Sequence, residues 1–490
     1  MSIAVLALVS CTVNEPECVE IIDENAPVFY ASFENCEGTK TYVDDQLHLY
    51  WTADDRLSIF MNTYNQQYAF QGKTGDNSAT FKKIASDDFV SGNPLSANYA
   101  VYPYDPETSI SYEGEISVNL PSVQKYAEKS FGLGANTMVA VTENPDDRYL
   151  AFKNLCGYLV VKLYGDETIK SITLEGNNGE KIAGRAAVTA SFSSAPSLTL
   201  ADDATTSITI DCGEGVTLGT TVETATEFWF CIPPVSFSKG FTIIARGAAS
   251  NFRKSAASSH TIERNIRVSM PALEFEGLAI PEAVDLGLPS GIKWASFNLG
   301  AAKPEEYGEY YAWGATEPWY EDGFAQSGTP VWRTGKSGGY NWADAPFNGG
   351  SSNFDDGYWN TNKSGCVDGN DILLAINDAA HIQLGDNWRM PTQEECQELI
   401  DNCEAVWTAQ DGVYGRTFTS KENGNSIFLP AAGYFIGTGR RNAGIYGSYW
   451  TSTLLTGSQD NARSLSFNSD DLFVYVSGRS DGRSIRPVCE

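Results

Sequence analysis

Histidine is scarce in this 490-residue chain, with three in all, so catalysis built on imidazole has little material. Positive charge is short as well. Lys and Arg total 33 against 62 Asp and Glu, a formal net charge of −29. Nucleic acid and anionic membrane surfaces need clustered cations, so neither is expected as a partner. No apolar run approaches the roughly 18 residues that a membrane-spanning helix needs. Among the ten cysteines there is no Cys-x-x-Cys and no Cys/His cluster with zinc spacing. A phosphate loop, a dinucleotide fingerprint and His-Glu-x-x-His are all missing. Two Gly-x-Ser-x-Gly strings, at 335–339 and 478–482, sit in Gly/Ser-rich stretches without the strand-to-helix context of a nucleophile elbow. No enzyme is expected, and His381 reads as structural.

What is present suits folded domains. Charged residues make up 19% and aromatics 12%, enough apolar surface to bury cores. The length suggests roughly three domains. Composition shifts near residue 280, since nine of the eleven Trp lie beyond it. The segment 271–281, with proline at both ends, reads as a linker.

Short apolar alternations recur before that linker, at 57–60, 99–102, 158–163, 171–174, 207–210, 228–232 and 241–245. Gly, Asn, Asp and Pro clusters separate them, the pattern of antiparallel sandwiches. Some 250 residues exceed one small sandwich, so a division is placed near residue 150. The doublets Asp54-Asp55, Asp87-Asp88, Asp146-Asp147 and Asp202-Asp203 read as solvated turns. Cys156, Cys212 and Cys231 lie in apolar runs and read as small core residues.

At the N-terminus, Leu8-Val9-Ser10-Cys11 resembles a bacterial lipobox, which implies lipidation of Cys11 and anchoring in the outer membrane. No Lys or Arg precedes the apolar stretch, so the leader is expected to begin upstream. Further on come Gly38-Thr39-Lys40-Thr41, Tyr50-Trp51-Thr52-Ala53-Asp54-Asp55, Ala79-Thr80-Phe81, Tyr99-Ala100-Val101-Tyr102-Pro103-Tyr104 and Phe152-Lys153-Asn154-Leu155-Cys156-Gly157. Together they resemble a Bacteroidetes fimbrillin over about 26–275. That resemblance implies two transthyretin-like β-sandwich pilin domains that assemble with other pilin subunits by donor-strand pairing. Assembly there follows proteolytic loss of the first strand, and Lys40 and Arg56 are the possible cleavage positions.

Beyond the linker, Thr392 and Glu395 form a capping-box signature. Cys396, Leu399, Ile400 and Cys403 then recur at i, i+3, i+4 and i+7, the apolar face of a helix. Strands are expected at 426–429 and 472–476. Residues 284–295, Gly308-Glu309-Tyr310-Tyr311-Ala312-Trp313-Gly314, Trp388-Arg389-Met390-Pro391-Thr392, Leu429-Pro430-Ala431-Ala432-Gly433, Tyr449-Trp450-Thr451-Ser452 and Ser484-Ile485-Arg486-Pro487-Val488 resemble the Fibrobacter succinogenes major paralogous domain. The resemblance covers nearly all of 284–490 and implies an α+β C-type lectin-like fold with a Cys403–Cys489 disulfide. Trp294, Trp313, Trp388 and Trp450, inside those motifs, read as core.

Two ligand surfaces are open. One is the aromatic insertion with Trp319, Trp332, Trp342 and Trp359, whose flat faces suit sugar rings or a protein partner; buried loop packing is the other reading. The second is the tail bearing Arg440, Arg441, Tyr446, Phe473, Tyr475 and Arg479. Asp368, Asn370, Asp371 and Asp378 hold enough oxygen for calcium, but their spacing matches no calcium loop. No cofactor is expected.

The expectation is a mainly β chain: residues 1–25 a signal remnant and tether, 26–150 and 151–275 two sandwiches, 276–283 a linker, 284–490 a binding head. Its function reads as a lipid-anchored fimbrial tip adhesin whose head binds a glycan or a surface protein. A stand-alone surface lipoprotein that binds such ligands without joining a pilus is the alternative.

Overall fold

The computed structural model describes residues 21–34, 49–86, 92–321, 330–347, 366–385, 387–458 and 460–490. Cys11, Lys40, Trp359 and the Asp87-Asp88 doublet lie outside the described residues. The fold is mainly β, as the alternating patterns imply. The chain separates into two compact units. One comprises 1–166, 170–243 and 255–274; the other comprises 275–490 with the short segments 167–169 and 244–254.

In the first unit one sheet closes on itself. Its strands run in the order Phe29–Phe33, Tyr149–Asn154, Met138–Val141, Pro94–Tyr102, Arg56–Asn62, Gln66–Phe70 and Ala79–Lys83, returning to the first. Phe29–Phe33 is parallel to Tyr149–Asn154 and antiparallel to Ala79–Lys83. Buried side chains alternate with more exposed ones on Phe29–Phe33 and Tyr149–Asn154, whereas Met138–Val141 is buried on both faces. Trp51 stands at its centre, fully buried, with Phe33 stacked at 4.5 Å and Phe81, Tyr102 and Phe152 edge-on at 5.0–5.7 Å. Beyond the barrel, Gly157–Tyr164 pairs antiparallel with Thr226–Ile232 and parallel with Arg267–Glu274. Ile116–Leu120 pairs with Gly184–Thr189, and Val123–Ala127 runs parallel to Ser207–Thr217. Strands from before residue 150 are therefore laid against strands from after it.

All seven strand segments expected in this half lie within observed strands. Asp55 corrects the turn reading. It is 6% exposed, accepts hydrogen bonds from the Thr52 amide at 2.6 Å and the Tyr102 hydroxyl at 2.8 Å, and burial pushes its carboxyl up. Asp146 and Asp202 do sit in exposed turns.

In the second unit the expected helix is present as Gln393–Asn402. The Thr392 hydroxyl accepts from the Glu395 amide at 3.2 Å, and the Glu395 carboxylate accepts from the Thr392 amide at 2.8 Å. These bonds satisfy amide donors that a helix start leaves without partners. Cys396 and Leu399 are buried, while Cys403 ends the helix and opens a strand, Cys403–Gln410. A second, shorter helix is Ala379–Leu384, capped by Asp378. The unit's ends meet in one sheet, where Lys293–Ala295 pairs with Val488–Cys489, which also pairs with Trp388–Arg389. Two three-stranded meanders complete it: Cys403–Gln410, Val413–Ser420 and Ser426–Pro430, then Gly447–Leu454, Asn461–Phe467 and Leu472–Gly478.

The expected Cys403–Cys489 disulfide is not formed; both are buried free thiols, as are Cys156, Cys212, Cys231, Cys366 and Cys396. The two residues serve different clusters. Cys403 packs with Trp294, Phe418 and Leu429, whereas Cys489 packs with Trp313, Met390 and Trp450.

Candidate functional site

Among the described residues of the aromatic insertion, Trp319, Tyr320 and Tyr340 are buried. Trp319 is 4% exposed and stacks on Tyr340 at 4.8 Å and 11°, with the Lys336 ammonium 4.1 Å from its ring centre. Tyr340 is itself buried and donates its hydroxyl to the Tyr310 carbonyl. Trp332 is partly buried and lies edge-on to Tyr320, Tyr340 and Phe435 at 6.0–6.1 Å. These rings form a small core with Tyr310, Ala312 and Ala432. Trp319 is therefore held by packing, not offered to solvent.

Trp342 opens a 3-10 turn, Trp342–Asp344, whose Asn341 side chain caps the Asp344 amide. Its ring lies 5.9 Å from the Arg479 guanidinium, which also sits 5.2 Å from Trp313. Arg479 is 1% exposed and donates to the Pro346 carbonyl. Of the tail residues, Arg479 is thus part of the core.

The remaining tail residues fall into two groups. Arg440 and Arg441 lie on the hairpin strand Gly439–Arg441, with Arg440 5.5 Å from the Tyr307 ring and Arg441 exposed. Tyr446 is half-buried, edge-on to Tyr434 at 6.1 Å. Beneath Tyr434, the buried Arg483 guanidinium lies 4.8 Å from that ring and 5.1 Å from Trp450, and bonds to Asp481 at 2.9 Å. Burial pushes the Asp481 carboxyl up while Arg483 pulls it down; burial likewise pushes the Arg483 guanidinium down. The second group is Phe473 and Tyr475, which meet each other edge-on at 5.5 Å on Leu472–Gly478. Tyr475 is exposed.

The hairpin group can supply guanidinium donors beside phenol faces, which suits hydrogen bonding to an oxygen-rich ligand. Asp378 caps its helix through the Ala380 and His381 amides and also accepts from Met390, and Asp368 accepts from Asn370 and Ile372. Among the described residues no three metal-ligating side chains converge.

Arg56 lies on a barrel strand, with Ala69 as its partner in register and its carbonyl bonded to the Tyr104 amide. A protease acting there would have to unpair that strand. Several features escaped the sequence reading. Arg264 grips Glu34 at the end of Phe29–Phe33 through both carboxylate oxygens, at 2.5 and 3.2 Å. The first unit also carries a cleft of about 680 Å³. Beside it Arg267 covers Trp229 at 5.3 Å, and Trp229 donates to Glu227 at 3.0 Å. Trp407 and Tyr414 stack at 6.1 Å across a two-residue hairpin whose Asp411 and Gly412 both have positive φ. That last one was legible, because Asp-Gly between alternating strands is a hairpin signal. The Arg264–Glu34 and Arg267–Trp229 contacts join residues far apart in sequence.

No family model and no curated protein matches the chain. Among solved structures, a candidate cell adhesion protein from Bacteroides ovatus ATCC 8483 aligns at 12% identity and TM-score 0.32, covering 51% of this chain and 91% of its own. Another from Bacteroides uniformis ATCC 8492 aligns at 16% identity and TM-score 0.29, covering 51% and 94%. A fimbrial protein from Bacteroides ovatus ATCC 8483 covers 94% of this chain and 99% of its own, at 13% identity and TM-score 0.23. Likeness at this level does not establish a shared fold.

Proposed function

We propose that the chain is a cell-surface fimbrial adhesin, anchored through lipidated Cys11 as a precursor, with 284–490 as its binding head. The observation that carries the reading is the place of Phe29–Phe33. It is bonded on both sides within a closed barrel, parallel to one neighbour and antiparallel to the other. Withdrawal of this one strand would leave two facing edges, a slot shaped for an incoming strand from another subunit. The fimbrillin-like motifs along 26–275 support the same assignment. The head would meet its glycan or protein ligand through Arg440, Arg441 and Tyr446, because Trp319 and Arg479 are committed to packing.

At a filament tip the chain would receive a neighbour's strand in that slot. The Glu34–Arg264 pair ties down the first strand, and while that strand is retained the slot stays closed. That same pair favours the second reading, a stand-alone surface binding protein that never enters a filament.

Gold-labelled antibody against 284–490, applied to intact cells bearing the chain, separates the two. Label at filament ends is the expected result. Label spread over the outer membrane, with filaments bare, would overturn the fimbrial reading and leave the stand-alone binder.

A further inference from the structure

The outer face of the barrel carries a groove that none of the sequence motifs marked. Tyr30 and Tyr149 are partners in the parallel register and are 45% and 69% exposed. Their rings stack on each other at 5.3 Å and 25°. Beside this upright pair lies a groove of about 310 Å³ floored by the strands Phe29–Phe33 and Ala79–Lys83. Ser32, Ser78 and Thr80 line it, and Thr80 stands directly across from Tyr30.

Three properties of the groove define what fits it. First, its lining contains no charged side chain, in a chain that carries 62 acidic and 33 basic residues. Second, among the described residues no hydrogen bond engages the side-chain hydroxyl of Tyr30, Tyr149, Ser32, Ser78 or Thr80, so all five are available. Third, large aromatic faces stand exposed next to those hydroxyls, and exposed apolar surface rimmed by polar groups marks interaction sites. An ion has no counter-charge here. A purely apolar ligand would bury hydroxyls without partners, which costs free energy. A pyranose ring has what the groove lacks: C–H faces for the tyrosine slab and ring hydroxyls for the serines and threonine. The volume lies at the lower end of small-molecule sites, enough for a short saccharide segment.

We propose that this groove binds a neutral saccharide chain, through Tyr149 and Tyr30 as the stacking surface and Ser32, Ser78 and Thr80 as hydrogen-bonding partners. The site lies in the first unit and includes Tyr30 and Ser32 of Phe29–Phe33, so it exists in the chain that retains that strand.

The test uses the full chain with maltohexaose, cellohexaose and mannohexaose as probes, read by saturation-transfer NMR and isothermal titration. At least one probe is expected to bind, with its ring protons receiving saturation. Tyr149→Ala should weaken that binding by about tenfold or more, while Tyr149→Phe, which keeps the ring, should retain most of it. Ser32→Ala with Ser78→Ala should weaken it without changing the melting temperature. Tyr112→Ala, at an exposed tyrosine outside the groove, should leave it unchanged. Absence of binding to all three probes would overturn the proposal, as would binding unaffected by Tyr149→Ala. Self-association that is sensitive to Tyr149→Ala, seen by sedimentation with no sugar bound, would assign the groove to a second copy of the chain instead.

Discussion

The two units solve the same problem by different means. Every buried peptide group needs a hydrogen-bond partner. In the barrel the partners are mainly other peptide groups, since a closed sheet has no edges. Its centre can then be filled by shape alone: the Trp51 indole N–H has no hydrogen-bond partner among the described residues. In 275–490 much of the backbone is irregular, and side chains take over. The Arg486 guanidinium, 1% exposed, donates to the carbonyls of Ala295, Ser296 and Phe428 and to the Asn298 amide oxygen, at 2.7–3.3 Å. Arg416 does the same for Ala405, Asn468, Ser469 and Asp471. Trp313 and Trp450 donate to the Thr451 and Tyr311 carbonyls at 2.8 and 2.7 Å. Trp294 is an exception, its N–H buried and unpaired as in Trp51. The lesson is that a Gly-rich, loop-rich unit becomes dependent on a few long donors, whereas a closed sheet depends on filled volume.

Breaking each unit at its own support gives the largest effects. Trp51→Ala should cost about 3–5 kcal/mol through the cavity it leaves, read as a shift in the chemical denaturation midpoint. A loss below about 1 kcal/mol would mean that the barrel collapses onto the space and is not held by volume. Arg486→Met keeps length and apolar bulk but strips the donors from buried carbonyls, and should cost about 3 kcal/mol. Limited proteolysis should then cut first within 275–490 and spare 49–166. Equal cleavage of both regions would break the contrast.

A finer probe is pH. Glu167 accepts hydrogen bonds from Ser250, Thr168, Ala249 and Ala248. Burial pushes its carboxyl up, but these bonds outweigh it and hold the carboxyl below its ordinary value of 4.5. The stability it adds is therefore present above pH 4.5 and is lost as the pH falls through its folded value. Below pH 4.5 the melting temperature of the Glu167→Gln variant should fall less steeply than that of the native chain. Parallel curves would show that the carboxylate contributes nothing specific. The smallest effect belongs to Thr392→Ala, which removes half of the capping box and should cost about 1 kcal/mol, with Thr392→Ser restoring most of it.

Legibility follows the same divide. Strands at 57–60 or 228–232 could be read because alternation and turn residues are local. The helix at Gln393–Asn402 could be read because its cap and apolar face lie within about a dozen residues. The site was harder. Trp319 was open between a ligand surface and buried packing, and Arg479 was placed on a ligand face, since nothing near Trp319 in sequence announces its stacking on Tyr340 or near Arg479 its place between Trp313 and Trp342. Asp55 looked like a turn carboxylate because its partner, the Tyr102 hydroxyl, comes from a strand 47 positions away. Cys403 and Cys489 were paired by resemblance, yet each is absorbed by a different cluster.

By itself the sequence determined the mainly β class, the positions of strands and of one capped helix, and the acidic balance that disfavours nucleic acid. These rest on periodicity, capping and net charge, which act over a few residues or over the whole composition. Only the tertiary structure decided that the first sheet closes around Trp51 and that Trp319, Tyr320 and Tyr340 pack inward. It alone decided that Tyr30 and Tyr149 meet on the outer face beside unengaged hydroxyls. Those outcomes depend on which distant strands become neighbours, and burial is settled only when the neighbours are in place.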